Sequence, residues 1–146
     1  MQVSAQFAAM KRGLYLLPAL GYMGLIFWMS SYPSPEALKH FPIFGVIKLV
    51  HLVEYGILAL FWVWGLAHAF SWRWWRITST SALITFFWGI SDEMHQSFVP
   101  GRTACLADAL TDLLAALLAI GMITFIRGRK TKLWYKPRFI KDEEVL

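Results

Sequence analysis

Between Gly89 and Ala116 the chain reads GISDEMHQSFVPGRTACLADALTDLLAA, placing Asp92, Glu93, His95, Gln96, Arg102, Asp108 and Asp112 in one stretch of a protein otherwise rich in Leu, Phe, Trp and Ile. A second set, Lys48, His51, Glu54 and Tyr55, lies upstream in IKLVHLVEYGILAL. Three kinds of chemistry are open to them. Imidazole nitrogen and carboxylate oxygen can hold a divalent ion that activates water, with His51, Asp92, Glu93 and Asp108 as candidate metal ligands. Carboxylates in pairs can do acid–base work, which makes His51, Glu54, Asp92, Glu93 and Asp108 the candidate catalytic groups. Binding asks least: Lys48 and Arg102 suit phosphate or carboxylate, while Asp92, Glu93, Asp108 and Asp112 suit amines and hydroxyls. No His-Glu-x-x-His, Gly-x-Ser-x-Gly or Cys-His pair is present, and nothing singles out Ser30, Ser31 or Ser91 as a nucleophile.

What must position these groups is a membrane protein. The 146 residues are 58% hydrophobic and 16% charged, with 8 Trp, whereas soluble domains lie nearer 45–50% and about 25%. The net charge of +5 comes from Lys and Arg at the ends of apolar runs and in the tail RGRKTKLWYKPRFIKDEEVL, and gives no reason to invoke nucleic acid. The lone Cys105 excludes an internal disulfide.

A helix needs about 20 residues to cross a hydrocarbon core of roughly 30 Å. Gly13–Ser30, following Lys11-Arg12, meets that length, with Pro18 as a place for a kink; it has no small-x-small cleavage site and reads as an uncleaved anchor rather than a signal peptide. Ile43–Phe70 and Ala104–Ile126 are the second and fourth spans. The third is less obvious. The uncharged run Ile77–Ile90 has only 14 residues, about 21 Å of helix. The helix must continue through SDEMHQSF to the breaker Pro100-Gly101, which puts Asp92 and Glu93 inside it. The expected fold is therefore all-α, with four transmembrane helices. Residues 1–12 form a cytoplasmic segment, 13–126 the membrane domain and 127–146 a basic cytoplasmic tail.

Lys11, Arg12, Arg73, Arg76 and the tail fall on one side, and the opposite loops hold only Lys39 and Arg102. Both termini are thus expected in the cytoplasm, with Trp72, Trp74, Trp75 and Trp134 at that interface. From the outer end, Lys48, His51 and Glu54 lie at depths of roughly 7, 12 and 16 Å, and Asp108 and Asp112 at roughly 7 and 13 Å. Spacings of three and four keep each set on one helix face, as they do Asp92, His95 and Gln96, with Glu93 at the edge. Charges at such depth cost several kcal/mol facing lipid. Turned inward, they form one polar cluster in the outer half of the bilayer. The bland alternatives are interhelical glue and, for Asp108, helix capping.

At these residues the chain resembles the VanZ-like family of small bacterial membrane proteins. The resemblance covers about Ile26 to Gly121 and is carried by FWMSSYP, IKLVHLVEYGILAL and SDEMHQSFVPGRTACLADALTDLLAA. It matches His51, Tyr55, Asp92, Glu93, Gln96, Arg102 and Asp108 to the family's characteristic polar positions. Ile47, Asp112 and Ala116 depart from the pattern, and Asp112 makes the site more acidic. The resemblance implies the cytoplasmic membrane of a bacterium and a setting in the cell envelope. It also brings a link to glycopeptide antibiotic resistance, notably to teicoplanin.

The expected function is binding of a polar or lipid-linked envelope ligand, such as a cell-wall precursor or a glycopeptide. The binding residues are Lys48, His51, Glu54, Tyr55, Asp92, Glu93, Gln96, Arg102, Asp108 and Asp112. Four helices are few for alternating access, so a passive binder or a homo-oligomer fits better. The competing readings are a metal- or carboxylate-dependent hydrolase on an extracytoplasmic substrate, with a divalent ion as its cofactor, and a scaffold within an envelope complex.

Overall fold

The computed structural model describes residues 11–33, 44–102 and 104–129. They form four α-helices: α1 (Leu17–Ser30), α2 (Phe44–Ala69), α3 (Trp74–Gln96) and α4 (Leu106–Arg129). A 3-10 turn, Leu14–Leu16, leads into α1, and there is no strand among the described residues. Pro18 sits in the first turn of α1, directly after the Leu14–Leu16 turn, a position that proline tolerates.

Lys11–Ser30, Leu49–Ala69 and Leu106–Arg129 are long and apolar enough to cross a membrane, and they mark a multi-pass membrane protein. Among the described residues three such spans are present, not the expected four. Helix α3 has the length, but Arg76, the Thr78–Ser81 run, Thr85, Asp92 and Glu93 dilute its hydrophobicity. The polar residues of α3 nevertheless have a place. Ser81, Thr85, Gly89, Asp92, Glu93 and Gln96 are buried in the bundle, while Leu83, Phe87 and Met94 stay exposed. That inside-out pattern is continued on α4, where Leu106, Leu110, Leu114, Leu118 and Phe125 face outward. A lipid bilayer is the surrounding such a surface fits. Helix α3 runs unbroken through Asp92 and Glu93 to Gln96, as the length argument required.

Consecutive helices run up and down. Trp74 at the start of α3 donates its indole N–H to Thr124 near the end of α4 at 3.1 Å, and Arg127 lies 4.3 Å over the Trp74 ring. At the same end Tyr15 stacks near Trp64 and His68 of α2. Gly65 makes that approach possible: a Cβ there would stand 2.7 Å from the Tyr15 carbonyl oxygen. The core is centred on α2, through Tyr55, Leu58, Ala59, Trp62 and Leu66, packed on Ala115, Ala116 and Ile120 of α4 and Ala19 and Ile26 of α1. Small residues on α4 let two helices close in where no hydrophobic force separates protein from lipid. Trp134, Lys39 and most of both terminal segments lie outside the described residues.

Candidate functional site

The polar residues gather at the end of the bundle opposite Trp74 and Arg127. Asp92, 2% exposed, is held from two sides. Ser30, the last residue of α1, donates its hydroxyl to Oδ1, and Gln96, one turn along α3, donates its amide to Oδ2 at 2.7 Å. Each carboxylate oxygen thus accepts a hydrogen bond, the condition under which a buried acid is tolerated. Beside it, Ser31 and His95 share a hydrogen bond of 2.9 Å, and the His95 ring lies 4.2 Å from that of Phe27. The ends of α1 and α3 at this side of the bundle are tied twice.

Glu93 turns the other way. Its Oε2 accepts the backbone N–H of Cys105 at 2.8 Å, one residue before α4 begins. The first amides of a helix have no intrahelical acceptor, so a glutamate of α3 caps α4. Arg102 follows the turn at Gly101, whose φ of 79° suits glycine. Its guanidinium donates to the carbonyls of Tyr32 and Met29 and, at 3.4 Å, to the Gln96 side chain. Those carbonyls belong to the end of α1, so Arg102 closes that helix as well as standing at the mouth of the cluster.

The acid at position 112 is different. Asp112 is 1% exposed, and neither of its carboxylate oxygens has a hydrogen-bond partner. The Nδ1 of His51 approaches Oδ1 to 3.9 Å, too far for a hydrogen bond. Tyr55, fully buried and stacked with His51, has an unpartnered hydroxyl, and Thr85 likewise. Gly89 makes room for the group: a Cβ there would meet Asp112 Oδ2 at 3.2 Å and the Tyr55 ring at 3.4 Å. Helices α2 and α4 therefore bring buried polar atoms together beside Gly89 of α3 without satisfying them.

Electrostatics joins the two halves. Asp112 lies within reach of the charges of Glu93, Asp92, Asp108 and Glu54, and Glu54, half-buried on α2, within reach of His51, Asp92 and Arg102. Of the residues singled out in the sequence, His51, Glu54, Tyr55, Asp92, Glu93, Gln96, Arg102, Asp108 and Asp112 come together. Lys48 is in α2, with its side chain outside the described residues. Among the described residues no three His, Cys, Asp or Glu side chains converge closely enough to hold a metal ion. Sequence reasoning gave Ser30 no role and overlooked Thr85 and Gly89. The recurrence of Ser81, Thr85 and Gly89 every four residues, leading to Asp92 and Glu93, was the available signal.

A family model described as VanZ/LLP1 matches residues 14–127, which takes in the first three helices, α4 but for its last two residues, and every residue of the cluster. The chain belongs to the VanZ/LLP1 family. No curated protein and no solved structure matches it. Membership of VanZ/LLP1 thus rests on the stretch that builds the bundle.

Proposed function

We propose that this VanZ/LLP1 protein binds a polar or lipid-linked ligand that donates hydroxyl or amine hydrogens into the cluster, with Asp112 as the principal acceptor. The observation that carries the reading is the pair of unpartnered oxygens on a buried Asp112, beside the unpartnered Tyr55 hydroxyl and His51 Nδ1. Buried polar atoms cost about 1–3 kcal/mol each when left unmade. A ligand that completes them recovers that cost. His51, Glu54 and Tyr55 line the place from α2. Arg102 at the mouth supplies positive charge, and Asp92, Glu93, Gln96 and Asp108 hold the surrounding frame.

In this reading the end of the bundle that carries the cluster opens outward in a bacterial cytoplasmic membrane. Extracytoplasmic lipid-linked precursors and teicoplanin-type glycopeptides then come within reach. Thermal unfolding of the purified protein, titrated with phosphatidylethanolamine, phosphatidylglycerol and teicoplanin, tests it. At least one should raise the midpoint of the wild type and leave Asp112→Leu unmoved. If Asp112→Leu responds as the wild type does, or none of the three acts, the assignment fails. A second reading, a carboxylate-dependent hydrolase, is favoured by the His51–Asp112 approach, the arrangement of a base and its orienting acid. It requires turnover of a bound compound that His51→Gln abolishes without abolishing binding.

A further inference from the structure

Helix α1 ends at two adjacent serines in opposite situations. Ser30 is buried and its hydroxyl is held by Asp92. Ser31 is exposed, and its Oγ lies 2.9 Å from His95 Nε2 and 2.7 Å from the Phe27 carbonyl oxygen. A hydroxyl within hydrogen-bond reach of a base is the first requirement of a serine nucleophile, and an exposed one can be approached by a substrate. The base is fixed in its turn. The His95 imidazole packs 4.2 Å from the Phe27 ring at an angle of 32°. It stands in the last turn of α3, where the negative end of the helix dipole stabilises the imidazolium that forms when His95 takes a proton.

Negative charge developing on a substrate has one place to go. The amides at the nucleophile are taken, that of Ser31 by the Phe27 carbonyl and that of Tyr32 by the Met29 carbonyl. Arg102 bridges the carbonyls on either side of the serines, with one N–H on Tyr32, one on Met29 and a third on the Gln96 side chain. A guanidinium has five N–H groups, so two are left to meet an oxyanion.

We propose that Ser31 is the nucleophile and His95 the general base of an esterase site at this end of the bundle, acting on the carboxylic ester of an amphiphile. Ser31 Oγ attacks the ester carbonyl carbon while its proton passes to His95 Nε2, and Arg102 meets the charge on the carbonyl oxygen. The C–O bond to the alcohol then breaks, His95 gives the proton to the leaving oxygen, and acyl-Ser31 remains. Water, losing a proton to His95, attacks the acyl carbon, the carboxylic acid leaves, and the proton returns to Ser31. An acyl chain finds apolar surface on Phe27 against the His95 ring, on Met94 next to it in the chain and on Phe98 one turn further, all exposed. The site uses none of the unpartnered atoms around Asp112 and is independent of the binding proposed there.

Treatment of the full-length protein in detergent with a tagged fluorophosphonate tests the pair. Ser31 Oγ should displace fluoride from phosphorus, and mass spectrometry of the peptide should find the phosphonate on Ser31. His95→Gln should slow the reaction at least about 100-fold, the low end of general-base catalysis. Glutamine can keep a hydrogen bond to Ser31 but cannot take its proton, so a pair that only ties α1 to α3 would not show that loss. Ser31→Ala should take no label. The wild type should also hydrolyse p-nitrophenyl octanoate, and Ser31→Ala should not. A wild-type Ser31 that stays unlabelled overturns the proposal, as does labelling that His95→Gln leaves at the wild-type rate. Labelled Ser31 without Ser31-dependent hydrolysis of the octanoate overturns the choice of a carboxylic ester as substrate.

Discussion

Gly89 of α3 faces Asp112 of α4 so closely that a Cβ at position 89 would stand 3.2 Å from the carboxylate. The same Cβ would touch the Tyr55 ring at 3.4 Å, so one glycine sets the distance among three helices. Gly89→Ala asks only for a shift of a few tenths of an ångström. Gly89→Leu must displace both neighbours, and overpacking of this kind costs about 1–3 kcal/mol. Thermal unfolding in detergent should place Gly89→Leu well below the wild type, with Gly89→Ala close to it. Equal midpoints for the Leu variant and the wild type would mean that α3 and α4 are not packed as described.

The Ser30–Asp92 bond is the chief polar tie between the ends of α1 and α3. Asp92→Ala leaves the Gln96 amide without its acceptor and the Ser30 hydroxyl with only the Phe27 carbonyl, and Ser30→Ala removes one of the two donors to Asp92. Both variants should lose stability, Asp92→Ala more. In a double-mutant cycle their coupling should fall in the range of about 0.5–3 kcal/mol found for residues in one hydrogen-bond network. Additive effects would show that the two side chains do not meet.

Asp112→Leu should behave in the opposite sense. Both Asp112 oxygens are buried without partners, so an apolar side chain of similar size removes an unfavourable burial and breaks no hydrogen bond. Its midpoint should equal or exceed that of the wild type, as is common where function is held at the expense of stability. A fall of several degrees would instead make Asp112 part of the structural frame.

That contrast marks the limit of what could be read in the sequence. The extension of α3 through Asp92 and Glu93 followed from length alone, and the polar faces of α2, α3 and α4 followed from spacings of three and four. Gathering the stripes at one end needed only helix direction. Which acid is satisfied was not legible, because it depends on distances between helices that share no sequence proximity. Ser30 lies 62 positions from Asp92, and a serine carries no periodic signal. The distinction between Glu93 as a cap and Asp112 as an unpartnered acid likewise arises only on packing. The count of spans differs for a related reason: length alone admits α3, while hydropathy sums all its residues and leaves it out, although its polar ones face the bundle and its Leu83 and Phe87 face outward.

Gly65 offers a test at the far end of the bundle. A Cβ at that position would lie 2.7 Å from the Tyr15 carbonyl oxygen, a backbone atom that cannot swing aside as a side chain can. Gly65→Ala must push the Leu14–Leu16 turn off α2 and part Tyr15 from Trp64 and His68. A cysteine pair placed at 15 and 68 should crosslink readily in an otherwise wild-type chain and poorly once Gly65→Ala is added. Unchanged crosslinking would show that the two segments are farther apart than described.

Glu93 caps α4 through the Cys105 amide, and a cap of this kind can be separated from a ligand contact by choice of substituent. Glu93→Gln keeps an oxygen that can accept the N–H and should lose little. Glu93→Leu keeps the bulk but removes the acceptor, and loss of a helix cap costs typically about 1 kcal/mol. Hydrogen exchange at the start of α4 should therefore accelerate in Glu93→Leu and stay near wild type in Glu93→Gln. The end of α4 at Arg127, far from the cap, should exchange alike in all three proteins. If both variants accelerated exchange equally, the charge itself would be holding the helix end, and the interaction would be with the α4 dipole rather than with one amide.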